Sequence, residues 1–234
     1  MNEILKLTEK LADFHYPNSM VIIKNEIKGR AFFPGGNGTF NNDTNLNDKS
    51  IMVLGQDFDS LKNYEKSLKL QLEKIETNPT WKNILLFLKE LNINPERCFF
   101  TNAILGVRNS EKATGKSPAF KDEIFINNCR NFFLYQVELQ KPKIILVLGI
   151  HVATFLSNTS KDLECWSKIN NFGDFDDKNI QKIEAVFNNG LKSTVILLTH
   201  PSFRNLNVHR RKYNNYTGHD AEIQMVKEEL ESKK

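Results

Sequence analysis

Cysteine is scarce in this chain: of 234 residues only Cys98, Cys129 and Cys165 are cysteines, and no two form a C-x-x-C pair. Three thiols so far apart exclude a disulfide framework and supply no zinc or iron–sulfur ligand set. The five histidines form no H-E-x-x-H pattern. No metal and no cofactor is expected. No apolar run approaches the length needed to cross a bilayer. Charge of one sign is lacking too, because 32 basic residues meet 28 acidic ones for a net +4. Such a balance permits nucleic-acid binding without demanding it. A serine nucleophile is also missing, since Ser202 sits in HPSF and not in a G-x-S-x-G elbow. No repeat of 20 to 50 residues is present.

What remains is the composition of an ordinary globular protein, 40% hydrophobic and 26% charged. It predicts one domain over 1–234. The opening MNEILKLTEKLADF alternates charge with apolar residues, as an amphipathic helix does and a signal peptide does not. A cytoplasmic monomer is the expectation. Four apolar segments then recur: IMVLG (51–55), CFFTNAIL (98–105), KIILVLG (143–149) and STVILLTH (193–200). Consecutive apolar residues of this kind mark strands covered on both faces of a parallel sheet. Helical periodicity fills the gaps at 61–76, 81–92, 121–140 and 151–157, and again at the end of the chain. Pro142 stops the third of these helices. Strand alternating with helix predicts an α/β fold, a three-layer α/β/α sandwich around a central four-stranded, mainly parallel sheet.

Ligands of such sheets bind beyond the carboxyl ends of the strands. Polar residues collect there: Gln56-Asp57, Thr101-Asn102, Gly149-Ile150-His151 and His200-Pro201-Ser202. An acid, an amide and an imidazole converging on one point could serve as electrostatic stabiliser, reader and hydrogen-bond donor to a leaving group. Singly, each has a plainer reading. Asp57 could cap the helix near Leu61, Asn102 could satisfy a turn, and His200 could be a loop histidine. ATGKS (113–117) ends like a phosphate-binding loop, but that pattern needs a glycine where Ser110 stands. HRRKY (209–213) concentrates positive charge, which by itself describes a solvated face.

GQD after the first strand, TNAILGVR in the second and HPS after the fourth together resemble the uracil-DNA glycosylase superfamily, in order, across roughly residues 30–220. QKPKIILVLGIHVATFL is similar to a strand-and-helix stretch of its bacterial branches. FFTNAILGVRNSEKATGK is similar to the branch whose first motif is GQDPYH. The resemblance implies a DNA glycosylase that hydrolyses the N-glycosidic bond of a flipped uracil or modified pyrimidine, in base-excision repair or in defence against modified phage DNA. It assigns catalysis to Asp57, which would position water and stabilise an oxocarbenium-like sugar, and to His200, which would bond the base O2. Asn102 would read the polar edge of the base, with Gln56 and Phe58 beside it. Pro201 and Ser202 would press on the DNA backbone. No lysine stands at a motif position, implying a monofunctional enzyme without a Schiff base. DNA, single- or double-stranded, is the implied partner.

Two departures matter. GQDFDS replaces GQDPYH, so Phe58 takes the place of the proline and Asp59 that of the tyrosine that crowds carbon 5. A larger pocket and a bulkier 5-substituent are the expectation. Arg204 stands where that branch carries an apolar wedge, and with Arg210 and Arg211 it is expected to contact DNA. The stacking aromatic is one of Phe32, Phe33, Phe58 and Tyr64, and RAFFPGGNG (30–38) could fold over the pocket. Competing readings are a catalytically inactive DNA-binding protein and a hydrolase of free nucleosides.

Overall fold

The structure is a computed structural model, and it describes Lys10 and residues 15–21, 50–69 and 78–233. The expected N-terminal helix, the loop at 34–49 and the candidates Phe32 and Phe33 lie outside the described residues.

Five strands form the central sheet: β1 (Ile51–Gly55), β2 (Cys98–Asn102), β3 (Ile144–Leu148), β4 (Lys182–Val186) and β5 (Lys192–Leu198), in the order β2-β1-β3-β5-β4. The first four in that order pair in parallel, and β4 joins β5 antiparallel. The expected sheet of four strands is therefore a sheet of five. The added edge strand escapes an apolar-run search because KIEAV keeps only Ala185 fully buried.

Side chains alternate across the parallel strands and build two cores. Met52, Leu54, Phe99, Ile145, Val147, Val195 and Leu197 face one layer with α3 (Glu123–Gln140) and α4 (Ile150–Leu156). Ile51, Val53, Phe100, Leu146, Leu148, Ile196 and Leu198 face the other, with α2 (Pro79–Glu90) and α7 (Gly218–Ser232). Helix α1 (Leu61–Lys69) follows β1 directly.

Local chemistry explains where the helices begin and end. Asn78 caps α2 by accepting from the Thr80 and Trp81 amides, with Pro79 at its first position. Asp122 caps α3 by accepting from Phe125 N at 2.8 Å. Lys141 ends α3 in a left-handed conformation, one residue before Pro142. Among the described residues, no helix is long and apolar enough to cross a membrane.

Candidate active site

The carboxyl ends of β1, β2, β3 and β5 open on one cleft of about 1030 Å³. Gln56, Asp57, Phe58, Asn102, His200 and Ser202 all line it, so the three motif-bearing strand ends do converge. Register explains this: Gly55 pairs with Asn102, and Gly149 N donates to Leu198 O at 2.9 Å, which brings the four termini level.

Asp57 is held hard. Its Oδ2 accepts from Arg108 Nε at 2.7 Å, and the two side chains are 4% and 3% exposed. Its Oδ1 accepts from Asp59 N at 3.3 Å. The rest of the Arg108 guanidinium donates to Thr114 O at 3.0 Å and Gly115 O at 2.9 Å, pinning the 113–117 loop beside the carboxylate. Burial pushes the Asp57 carboxyl up from its usual range, and Arg108 opposes that push. The sequence motifs assign Arg108 no role. The signal was there, because an arginine closing the apolar run TNAILGVR must find an acid or stay out of the core.

His200 follows β5 and caps the next turn by accepting from Ser202 N through Nδ1, at 3.3 Å. That acceptor role leaves the proton on Nε2. Burial, with Arg108 and His151 adding to it, holds the imidazole down at about 4. At neutral pH His200 is thus an uncharged donor. His151 also lines the cleft, and burial, then Lys116 and Arg108, hold it below its ordinary value.

Asp59 has a positive φ of 73°. Asp and Asn tolerate this region better than bulkier residues do. Its backbone oxygen accepts from Arg108 N at 2.9 Å, and its Oδ1 accepts from Ser60 N and from Asn63 Nδ2. Gln56 donates to Gly115 O at 3.0 Å, while its Oε1 is buried without a hydrogen-bond partner. Phe58 is 4% exposed and belongs to the core as much as to the cleft wall. Of the candidate stacking rings, Phe58 and Tyr64 line the cleft, and the structure adds Trp81, Phe172 and Phe203.

The expected DNA contacts differ in where the fold places them. Pro201 is buried, and its carbonyl accepts from Asn83 Nδ2 at 2.7 Å. Ser202 stays exposed, with its hydroxyl bonded to that of Thr80 on α2. Arg204 turns inward. It pairs with Glu222, reaches His219 Nδ1 at 2.7 Å and lies over the Phe87 ring. Arg211 is 0% exposed and clamps Asp176 through two 3.0 Å bonds, with a third 3.0 Å bond to Glu222. Each partner is a carboxylate distant in sequence, so burial costs less than solvation of an unpaired cation would suggest. Arg210 alone of these three arginines is exposed, and it does not line the cleft. Phe203, which lines the cleft, is 36% exposed, and Leu206 three residues on is 66% exposed.

The parallel α/β sheet gathers an acid, an amide and an imidazole at neighbouring strand ends, the place where ligands of such sheets bind. The family follows from the chain itself: residues 44–218 match the family model of the uracil DNA glycosylase superfamily, and the protein belongs to that superfamily, whose members are DNA glycosylases. No curated protein matches the chain.

Proposed function

We propose that this protein hydrolyses the N-glycosidic bond of a pyrimidine flipped out of DNA, and that the pyrimidine carries a substituent at carbon 5. The convergence of Asp57, Asn102 and His200 on one cleft, in a chain of this superfamily, carries the reading. The base enters the cleft after unstacking, which costs a few kcal/mol. Asn102 takes its N3/O4 edge and His200 Nε2–H its O2. Water held at Asp57 adds to the sugar C1′ and gives its proton to the Asp57 carboxylate as the bond to N1 breaks, and the bonding electron pair leaves with the base. His200, already neutral, stabilises that anion by hydrogen bonding without surrendering a proton. Arg108 opposes the upward push of burial on Asp57 and so favours the carboxylate, which would face the developing cationic sugar.

With O2 and the N3 edge committed to His200 and Asn102, carbon 5 faces the wall of residues 58–66. No tyrosine closes that wall at Asp59, and the cleft is at the upper end of small-molecule sites in volume. With Arg204 turned inward, the exposed Leu206 is the side chain available to fill the gap in the duplex.

Labelled duplexes carrying uracil, 5-hydroxymethyluracil or a bulkier 5-substituted pyrimidine, treated with alkali after incubation, test the reading. Strand cleavage by the native protein and none by Asp57→Asn is the expected result. Activity confined to unsubstituted uracil refutes the carbon-5 assignment. One observation favours a second reading, a protein that binds DNA without cutting: Asp57 is 4% exposed and tied to Arg108. Tight binding by native protein and Asp57→Asn alike, with no cleavage of any duplex, would establish it.

A further inference from the structure

The loop that follows Arg108 carries ATGKS, whose sequence lacks the first glycine of a nucleotide-binding loop. In the structure it nevertheless walls a second cavity of about 490 Å³, adjoining the first. Lys112, Lys116 and Lys121 line this cavity together with Thr114 and Ser117, and no carboxylate lines it. Arg108 and Thr114 are common to both cavities, so the second opens beside the first across a single residue layer.

Charge is what distinguishes this place. Elsewhere the buried cations are matched: Arg108 by Asp57, Arg204 by Glu222, Arg211 by Asp176 and Glu222. Among the described residues, none of the three lysines has a carboxylate partner. Lys116 is steadied instead by the Phe120 ring, 4.7 Å below its ammonium. Three like charges around one hole repel one another, and an anion seated among them removes that penalty. The nearest acid of the loop, Glu111, does not line the cavity.

We infer that the Lys112–Lys116–Lys121 cavity is a phosphate subsite, occupied by a phosphodiester of the DNA strand whose base is in the adjoining cleft. The inference rests on the proposed action on DNA. It replaces Arg204 and Arg211, which the fold consumes internally, with a cationic track on the opposite side of Asp57. Ammonium groups on long side chains suit a diester oxygen, which carries one charge and accepts without directional demands.

The test compares native protein with Lys112→Gln, Lys116→Gln, Lys121→Gln and the triple variant in binding a fluorescent duplex over a range of sodium chloride. The lysines are exposed, so unchanged circular dichroism and melting identify folded variants. Each lost phosphate contact lowers the slope of log K against log salt by about 0.9, so the triple variant, which loses the one phosphodiester of this subsite, should lose about 0.9 from its slope and bind roughly tenfold more weakly. With cleavable substrate, KM should rise more than kcat falls. A triple variant with native slope and affinity overturns the inference while leaving the DNA glycosylase reading intact. Native protein that binds no DNA at all overturns both. A third arm adds inorganic phosphate or a deoxynucleoside monophosphate: stabilisation of native protein but not of the triple variant, with the DNA slope unchanged, would assign the cavity to a free nucleotide and overturn the strand assignment.

Discussion

Arg211 separates a DNA contact from an internal strut more sharply than any other residue. It gives two bonds to Asp176, one to Glu222 and one of 2.9 Å to Leu197 O, and it lies 5.0 Å from the Phe172 ring centre. Replacing it by methionine fills much of the space but leaves Asp176 with the Lys212 amide alone, at 2.8 Å. Glu222 keeps Arg204. One uncompensated buried carboxylate and a lost carbonyl bond amount to about 3–5 kcal/mol. For a chain of this size that lowers Tm by about 6–20 °C. The pH dependence has a definite sign. Burial already raises the Asp176 pKa and Arg211 opposes it, so without the arginine the folded value rises further above the unfolded one. The folded state then holds the extra proton between the two values, and stability falls as pH rises through that window. The deficit against native protein should therefore shrink as pH is lowered from 7 towards 5. Differential scanning calorimetry across that range measures it. Arg210→Ala is the control, since an exposed side chain should move stability by no more than about 0.5 kcal/mol. If Arg211→Met melts within about 2 °C of native protein and loses DNA affinity instead, the internal strut is refuted.

The other expectations concern the cleft and the thiols. Arg108→Met should raise the Asp57 pKa further, because only the Ser117 and Asp59 hydrogen bonds then oppose burial, and so move the acid limb of the pH–rate profile upward; an unmoved limb refutes the pairing. His200 has a folded pKa near 4 against 6.5 unfolded, so it contributes nothing to pH dependence above about 6.5 and lowers stability as pH falls from there towards 4, by up to about 3 kcal/mol. His200→Gln should flatten that part of the stability profile in urea titrations. Asp59→Asn should leave the melting point near native because asparagine tolerates φ 73° and keeps a side-chain oxygen for the Ser60 and Asn63 donors, whereas Asp59→Val should cost about 1–2 kcal/mol or more. Iodoacetamide at pH 8 should label the exposed Cys165 in folded protein, while Cys129, pushed up to about 12 by burial, and buried Cys98 should react only on unfolding, as mass spectrometry reads.

The parallel strands were legible because burial on both faces demands an unbroken apolar run, which IMVLG and IILVL supply. Edge strand β4 was not, since its burial alternates and ends in exposed Val186. The ends of the strands carried Asp57, Asn102 and His200, and the sheet's register alone suffices to bring them to one cleft. The arginines were the least legible residues. HRRKY looks solvated because the carboxylates that bury Arg211 lie 35 residues before it and 11 after it. Arg204 likewise finds its acid 18 residues on. Pairings at such separations leave no periodicity to read, and only the fold reveals which cations are already satisfied.

Glu222 reaches from the final helix to accept Thr199 N at 2.6 Å, one residue before His200, while gripping Arg204 and Arg211 on the far side of the same loop. The family match stops at 218, four positions short of that carboxylate. An expression fragment cut at the match boundary would keep every motif and lose the brace beneath them. The smallest working unit of this protein therefore extends through helix α7, and truncation there should disable the cleft without touching any residue that lines it.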